Sequence, residues 1–197
     1  MGTARSLLAG AALSLVAACA STGSSTGGLA NVELADVDGR ARRPLDLRGR
    51  RANLVVFTTL DCPIANGYAP EIQRLADEFE PGDVRFHLVH VDPDVDARAA
   101  AAHAREYGYT IPVLLDPTHA LVRELGATIT PEAAVIRSDG AVVYRGRIDD
   151  LWADLGVKRA APRYSDLEDV LRAVVAGEDV PRTRTPAVGC FIPDLPT

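Results

Sequence analysis

The stretch Thr59-Leu60-Asp61-Cys62-Pro63-Ile64-Ala65-Asn66 decides the fold. Just before it, residues 53–58 form an apolar run bounded by Arg50-Arg51, the mark of a strand buried on both faces and therefore central in a sheet. Just after it, Ile72, Leu75, Ala76 and Phe79 recur at helical spacing, which predicts a helix over 68–79 with one buried stripe, closed by Pro81-Gly82. A strand running into a cysteine at the mouth of a helix sets the thiol at the positive end of the helix dipole, where the thiolate is stabilised and becomes nucleophilic. Pro63 suits the first helical turn, because its missing amide would have had no partner there. Asp61 opposes the effect with its negative charge. The competing reading of Cys62 is a small buried hydrophobe, as many free cysteines are.

Downstream, residues 84–91 predict a second strand, and residues 95–107, rich in Ala and Arg and stopped by Gly108, a second helix. Strand, crossover helix, strand is the parallel βαβ unit. A short apolar piece over 112–115 is followed by a helix over 118–125 that ends at Gly126. Then come Thr128-Ile129-Thr130-Pro131, a strand over 133–136, the turn Ser138-Asp139-Gly140 and a strand over 142–147; so short a turn makes these two strands antiparallel. The last helix spans 166–176, with Ser165 as its cap and Gly177 as its stop. Upstream, Val32-Glu33-Leu34 and the Asp38-Gly39 turn predict a small hairpin. Pro181, Pro186, Pro193 and Pro196 make the tail over 178–197 irregular.

With 197 residues, 47% of them hydrophobic, the chain can bury one sizeable core. A net charge of −6 argues against nucleic acid as a partner, since phosphate binding needs a basic face. Arg5, the apolar stretch 7–18 and the small pair Ala17-Ala18 have the form of a signal peptide over 1–18, too short to span a bilayer. Val16-Ala17-Ala18-Cys19 resembles the lipobox of bacterial lipoproteins. That resemblance implies acyl chains on Cys19 and anchoring in the cell envelope, with Ala20 favouring the periplasmic face of the outer membrane. Residues 19–30, rich in Ser, Thr and Gly, read as a flexible tether, leaving residues 31–177 as the globular domain.

The element order, the cysteine after the central strand and the Thr-Pro before the hairpin together resemble the thioredoxin fold. They look most like its redoxin and peroxiredoxin branch, the alkyl hydroperoxide reductase and thiol-specific antioxidant superfamily. The resemblance implies an α/β three-layer sandwich with a central mixed sheet, and no cofactor. It implies that Pro131 is cis and lies against Cys62, where Thr130 and Pro131 would take a substrate chain by strand-like pairing. The chain departs from the branches in ways that matter. Ala65 and Asn66 follow Cys62 where thioredoxins carry a second cysteine. Thr59 and Cys62 match the peroxiredoxin pattern, but Val55 stands at its proline position and Pro131 near its arginine. Copper-delivering relatives carry a second cysteine where this chain has Asn66, and a histidine that is absent between 121 and 135.

Cys190 lies in Val188-Gly189-Cys190-Phe191-Ile192, an apolar island in the proline-rich tail. The last helix carries the chain roughly 16–18 Å from the catalytic end, and an extended tail of about 3.3 Å per residue can return it. The expectation is that Cys62 attacks a disulfide or oxidised thiol and Cys190 resolves. A permanent structural disulfide between the two is the rival. Two other readings stay open: a thiol peroxidase, in which Thr59 orients the peroxide, and a Cu(I)-holding or binding module built on the two cysteines. Arg145 or Arg147 is expected to reach the site from the hairpin, with Arg147 assigned to substrate; a salt bridge with Asp149 or Asp150 is the alternative. His87 and His90 are three apart on a strand and face opposite sides, so they cannot share a metal and read as surface or half-buried structural residues; His103, on a polar helix, and His119, beside a helix start, have no cysteine or histidine at metal spacing.

Overall fold

The computed structural model describes residues 1–2 and 31–195. The signal segment over 1–18 and the tether over 19–30, Cys19 included, otherwise lie outside the described residues.

Eleven strands are described: β1 (Leu34–Asp36), β2 (Ala41–Arg42), β3 (Ala52–Thr58), β4 (Val84–His90), β5 (Val113–Leu115), β6 (Ile129–Thr130), β7 (Glu132–Arg137), β8 (Val142–Gly146), β9 (Trp152–Asp154), β10 (Val157–Lys158) and β11 (Cys190–Phe191). The helices are α1 (Pro63–Gly67), α2 (Ala69–Phe79), α3 (Ala97–Glu106), α4 (Ala120–Leu125) and α5 (Asp166–Ala176). Seven strands form one sheet in the order β2-β1-β5-β4-β3-β7-β8. All seven residues of β3 are buried, as an apolar run at the centre of a two-sided sheet requires. It runs parallel to β4 and antiparallel to β7.

Stepping from β3 to β4 to β5 in one direction, right-handed crossovers put the intervening helices on one face, and the return to β7 puts α4 on the other. The core divides accordingly. Ile72, Leu75, Ala100, Leu167 and Leu171 pack with Leu54, Val56, Phe86 and Leu88 on one side. Leu121, Val122 and Leu125 pack with Val55, Phe57, Val89 and Leu114 on the other. The mixed sheet between helical layers is the three-layer sandwich expected.

Four sequence expectations change. The helix predicted over 68–79 is α2, but a separate short helix, α1, already occupies residues 63–67, and Tyr68 caps both. Ser165 makes no capping bond with its side chain. The turn-bearing hairpin β9–β10 follows β8. The tail, irregular for most of its length, ends its run in a strand: β11 pairs antiparallel with β6.

Candidate active site

Cys62 caps α1 with extended backbone, and its sulfur accepts the Ala65 N–H at 3.4 Å. The loop before it is held from both sides. Leu60 donates its N–H to Asp92 Oδ2 at 3.1 Å, and its carbonyl accepts from Asn66 Nδ2 at 2.9 Å. Asn66 Oδ1 in turn meets His103 Nε2 at 2.8 Å. Asn66 therefore stands in α1 as a brace between the cysteine loop and α3. Asp92, Asn66 and His103 were not legible as site residues; only their positions after β4 and within one helical turn of Cys62 could have pointed to them.

The Thr130–Pro131 bond is cis, as the resemblance implies. It faces the cysteine: the Cys62 thiol donates to the Thr130 carbonyl at 3.0 Å, and the Thr59 and Thr130 hydroxyls lie 3.3 Å apart. Glu132, next in the chain, accepts the Thr128 N–H at 2.9 Å and pairs with Arg145 at 3.3 Å. Arg145 also donates to the Leu125 and Gly126 carbonyls. One buried ion pair thus pins the chain on both sides of Pro131.

The tail is stitched along the edge of β8 before it reaches the site. Arg145 N–H bonds the Thr183 carbonyl at 3.0 Å, and Thr185 N–H bonds the Arg145 carbonyl at 3.2 Å. The Thr185 hydroxyl meets that of Tyr144 at 2.6 Å and accepts the Arg147 N–H at 3.1 Å. Arg182 pairs with Asp166. Further on, Cys190 lies opposite Thr130 and Phe191 opposite Ile129. Gly189 makes this possible, for a Cβ there would stand 2.0 Å from the Thr130 carbonyl oxygen. The arm also covers the Cys62 thiol, which is only 1% exposed and lies beneath Cys190.

Both cysteines are free thiols. Burial works to raise the Cys62 pKa, but the Cys190 thiol, the Ala65 N–H, the Cys190 N–H and the Thr130 hydroxyl all donate toward the sulfur, and the net shift is downward. The Cys190 thiol is pushed up to about 11, first by burial and then by its contact with Cys62. The pair is therefore asymmetric, with Cys62 the more acidic thiol and Cys190 the less acidic. The two sulfurs lie within hydrogen-bond reach of one another.

The expectation for Arg147 is corrected. Its guanidinium is held by Asp166 at 2.6 Å, beneath the start of α5, rather than delivered to Cys62. Asp150, the alternative partner, pairs instead with Arg159, and Asp149 accepts from Tyr68 at 2.5 Å. All four histidines are buried, contrary to the surface or half-buried placement expected of His87 and His90, because both faces of β4 are interior and α3 and α4 pack onto the sheet. Asp96 caps α3, its Oδ1 accepting the Ala99 N–H at 2.7 Å. Among the described residues no group of three or more His, Cys, Asp or Glu is arranged to hold a metal ion.

The family model described as Redoxin matches residues 23–160. No protein of curated function matches the chain. Among solved structures, the chain is similar to an uncharacterized conserved protein from Geobacillus kaustophilus, at 26% identity and a TM-score of 0.75, covering 86% of this chain and 92% of that one. A hypothetical protein from Sinorhizobium meliloti 1021 follows at 23% identity and 0.72, covering 84% and 91%. A secreted Mycobacterium tuberculosis disulfide oxidoreductase shares the fold at 18% identity and 0.53, covering 75% and 96%.

Proposed function

Because the chain belongs to the redoxin family, we propose that it is a thiol–disulfide oxidoreductase in which Cys62 attacks and Cys190 resolves. The Cys62 thiolate attacks one sulfur of a substrate disulfide, forming a mixed disulfide and releasing one substrate thiolate, which takes a proton. Cys190 then loses its proton and attacks the Cys62 sulfur, releasing the second substrate thiol and leaving a Cys62–Cys190 disulfide. The substrate gains two electrons and the protein loses two, so an external dithiol must restore it. The Thr130 backbone edge beside the reacting sulfurs is taken by the arm itself, through Cys190-Phe191.

The observation that carries this reading is the contact between the Cys190 thiol and Cys62, which lie 128 positions apart, with the Cys62 pKa lowered and that of Cys190 raised. A labile pair needs such asymmetry between attacking and resolving sulfur. The test is trapping with a small aromatic disulfide. Cys190→Ser should accumulate a mixed disulfide on Cys62, whereas the wild type should pass through it to a linked 62–190 peptide. Failure of Cys62 to form any adduct in Cys190→Ser would refute the assignment.

A second reading shares the residues and is favoured by the burial of Cys62, which admits a small oxidant more readily than a bulky one. In it the Cys62 thiolate attacks a peroxide oxygen, the O–O bond breaks to release water or an alcohol, and the sulfenic acid condenses with Cys190, releasing water. Stopped-flow consumption of hydrogen peroxide at no more than the free-thiol rate would discard it. A setting in the cell envelope, with Cys19 lipidated, is part of the proposal; the signal-like segment over 1–18 supports it.

A further inference from the structure

Residues 40–51 read Arg40-Ala41-Arg42-Arg43-Pro44-Leu45-Asp46-Leu47-Arg48-Gly49-Arg50-Arg51, six arginines to one acid in a chain of net charge −6. The thiol chemistry uses none of them. The segment leads into β3 at the end of the sheet away from Cys62, where β4 also starts. Beneath it lies a cavity of about 570 Å³, lined by Arg42, Arg43, Arg50, Arg85, Glu80 and His87 among others. That volume is in the range of small-ligand sites.

The cavity wall carries polar atoms without partners. His87 is 3% exposed, and neither ring nitrogen makes a hydrogen bond. Asn53, behind the wall and opposite Arg85 in the parallel pair, uses its amide NH2 to hold the arginine segment through the Pro44 and Asp46 carbonyls. Native interiors leave few such groups, and each calls for a partner. Arg85 makes no hydrogen-bonded ion pair among the described residues; Asp46, which lines a neighbouring cleft with it, feels its charge. Arg42, Arg43 and Arg50 are steadied by Asp36 at 2.8 Å, Glu33 at 3.0 Å and Asp83 at 3.6 Å. Each of those contacts leaves further N–H donors of the guanidinium fork free for the cavity.

We propose that this cavity is a binding site for a phosphate-type oxyanion, held by Arg42 and Arg85 and by an N–H of the His87 imidazole. A tetrahedral oxyanion offers several acceptors at once and suits two-pronged arginine contacts. It would also offset the two guanidinium charges that, after burial, push the His87 pKa down to about 4. Glu80 is the acid it must tolerate in the wall. The phosphate belongs either to a soluble phosphoryl compound or to an anionic lipid headgroup. Asn31, where the described domain begins, lines the neighbouring cleft with Arg43, Arg48 and Arg50.

The test follows the His87 ring by NMR in the full chain carrying Cys19→Ser, titrated with inorganic phosphate at constant ionic strength. The expected result is a saturable shift of His87 that Arg85→Gln weakens roughly tenfold or more, the loss of a charge-assisted contact, and that Cys62→Ser leaves unchanged. Arg42→Gln, on a different strand, serves as the second variant should Arg85→Gln fail to fold. Cosedimentation with phosphatidylglycerol vesicles, against phosphatidylcholine, separates the sources: Arg85-dependent sedimentation assigns a headgroup, and a phosphate shift without sedimentation assigns a soluble ligand. A His87 response that is linear in phosphate or identical in the arginine variants, with no Arg85-dependent sedimentation, overturns the site.

Discussion

Cys190 lies directly across from Thr130 in an antiparallel pair, and the Thr130 carbonyl is the acceptor of the Cys62 thiol proton at 3.0 Å. One residue thus ties the arm, the cis-proline corner and the active cysteine together. Strand pairing fixes the arm's register, and register fixes which tail side chain meets Cys62.

The arm depends on Gly189. In Gly189→Ala the new Cβ would stand 2.0 Å from the Thr130 oxygen, backbone that has little freedom to yield. Overpacking of this kind costs about 1–3 kcal/mol, enough to release the tip of the arm. Alkylation of Cys62 should speed up roughly tenfold or more, and the yield of 62–190 disulfide should fall. Unchanged alkylation would show that the arm does not control access.

The acidity of Cys62 depends on its neighbour. Cys190→Ala removes the thiol donor, so the midpoint of the pH–alkylation profile should move upward; Cys190→Ser, which keeps a donor, should move it less. A profile identical in all three proteins would contradict the hydrogen bond from the Cys190 thiol to Cys62.

Asp166 clamps the arm's root. It is buried, and it takes Arg147 on one oxygen and Arg182 on the other. Asp166→Ala should cost about 2 kcal/mol, the scale of charge-assisted bonds whose partners are partly solvated, and lower the melting temperature by roughly 4–8 °C. Thermal unfolding followed by circular dichroism checks this.

Acid should weaken the fold through its histidines. Burial first, then the neighbouring His90, lowers the His103 pKa from 6.5 to about 4. The unfolded chain therefore takes up a proton below about pH 6.5 that the folded chain refuses until about pH 4. This contribution is fully present above pH 6.5 and is lost as the pH falls through that window. Asp116 and Asp149, raised by burial, act in the opposite direction but equally in both proteins. Denaturant midpoints across pH 4–7 should accordingly fall less steeply in His103→Gln than in the wild type.

What the sequence disclosed and what it hid follow from the range of the forces involved. The apolar run over 53–58, the helical stripe of Ile72, Leu75, Ala76 and Phe79, and the Ser138-Asp139-Gly140 turn are local patterns, and each became the element expected. Cys62 at the strand–helix junction and the cis Thr130–Pro131 bond were legible for the same reason, the second through resemblance. The pairing of Cys190-Phe191 with Ile129-Thr130 was not, because two-residue strands carry no periodicity and their partner is chosen by tertiary contact. The burial of His87 and His90 was misjudged: their opposite orientations were right, but in a strand covered on both faces neither side is the surface. Arg147 was misassigned because no local signal announces that Asp166, nineteen residues on, turns back to meet it.

The measurement that bears most directly on the central claim is an equilibrium titration of the dithiol in glutathione redox buffers, read by peptide mapping. The account predicts that a linked 62–190 peptide appears and disappears reversibly within the range of about −180 to −270 mV in which catalytic thiol pairs are poised. A pair that stays reduced throughout, or a disulfide that resists reduction beyond about −300 mV as structural bonds do, would contradict it.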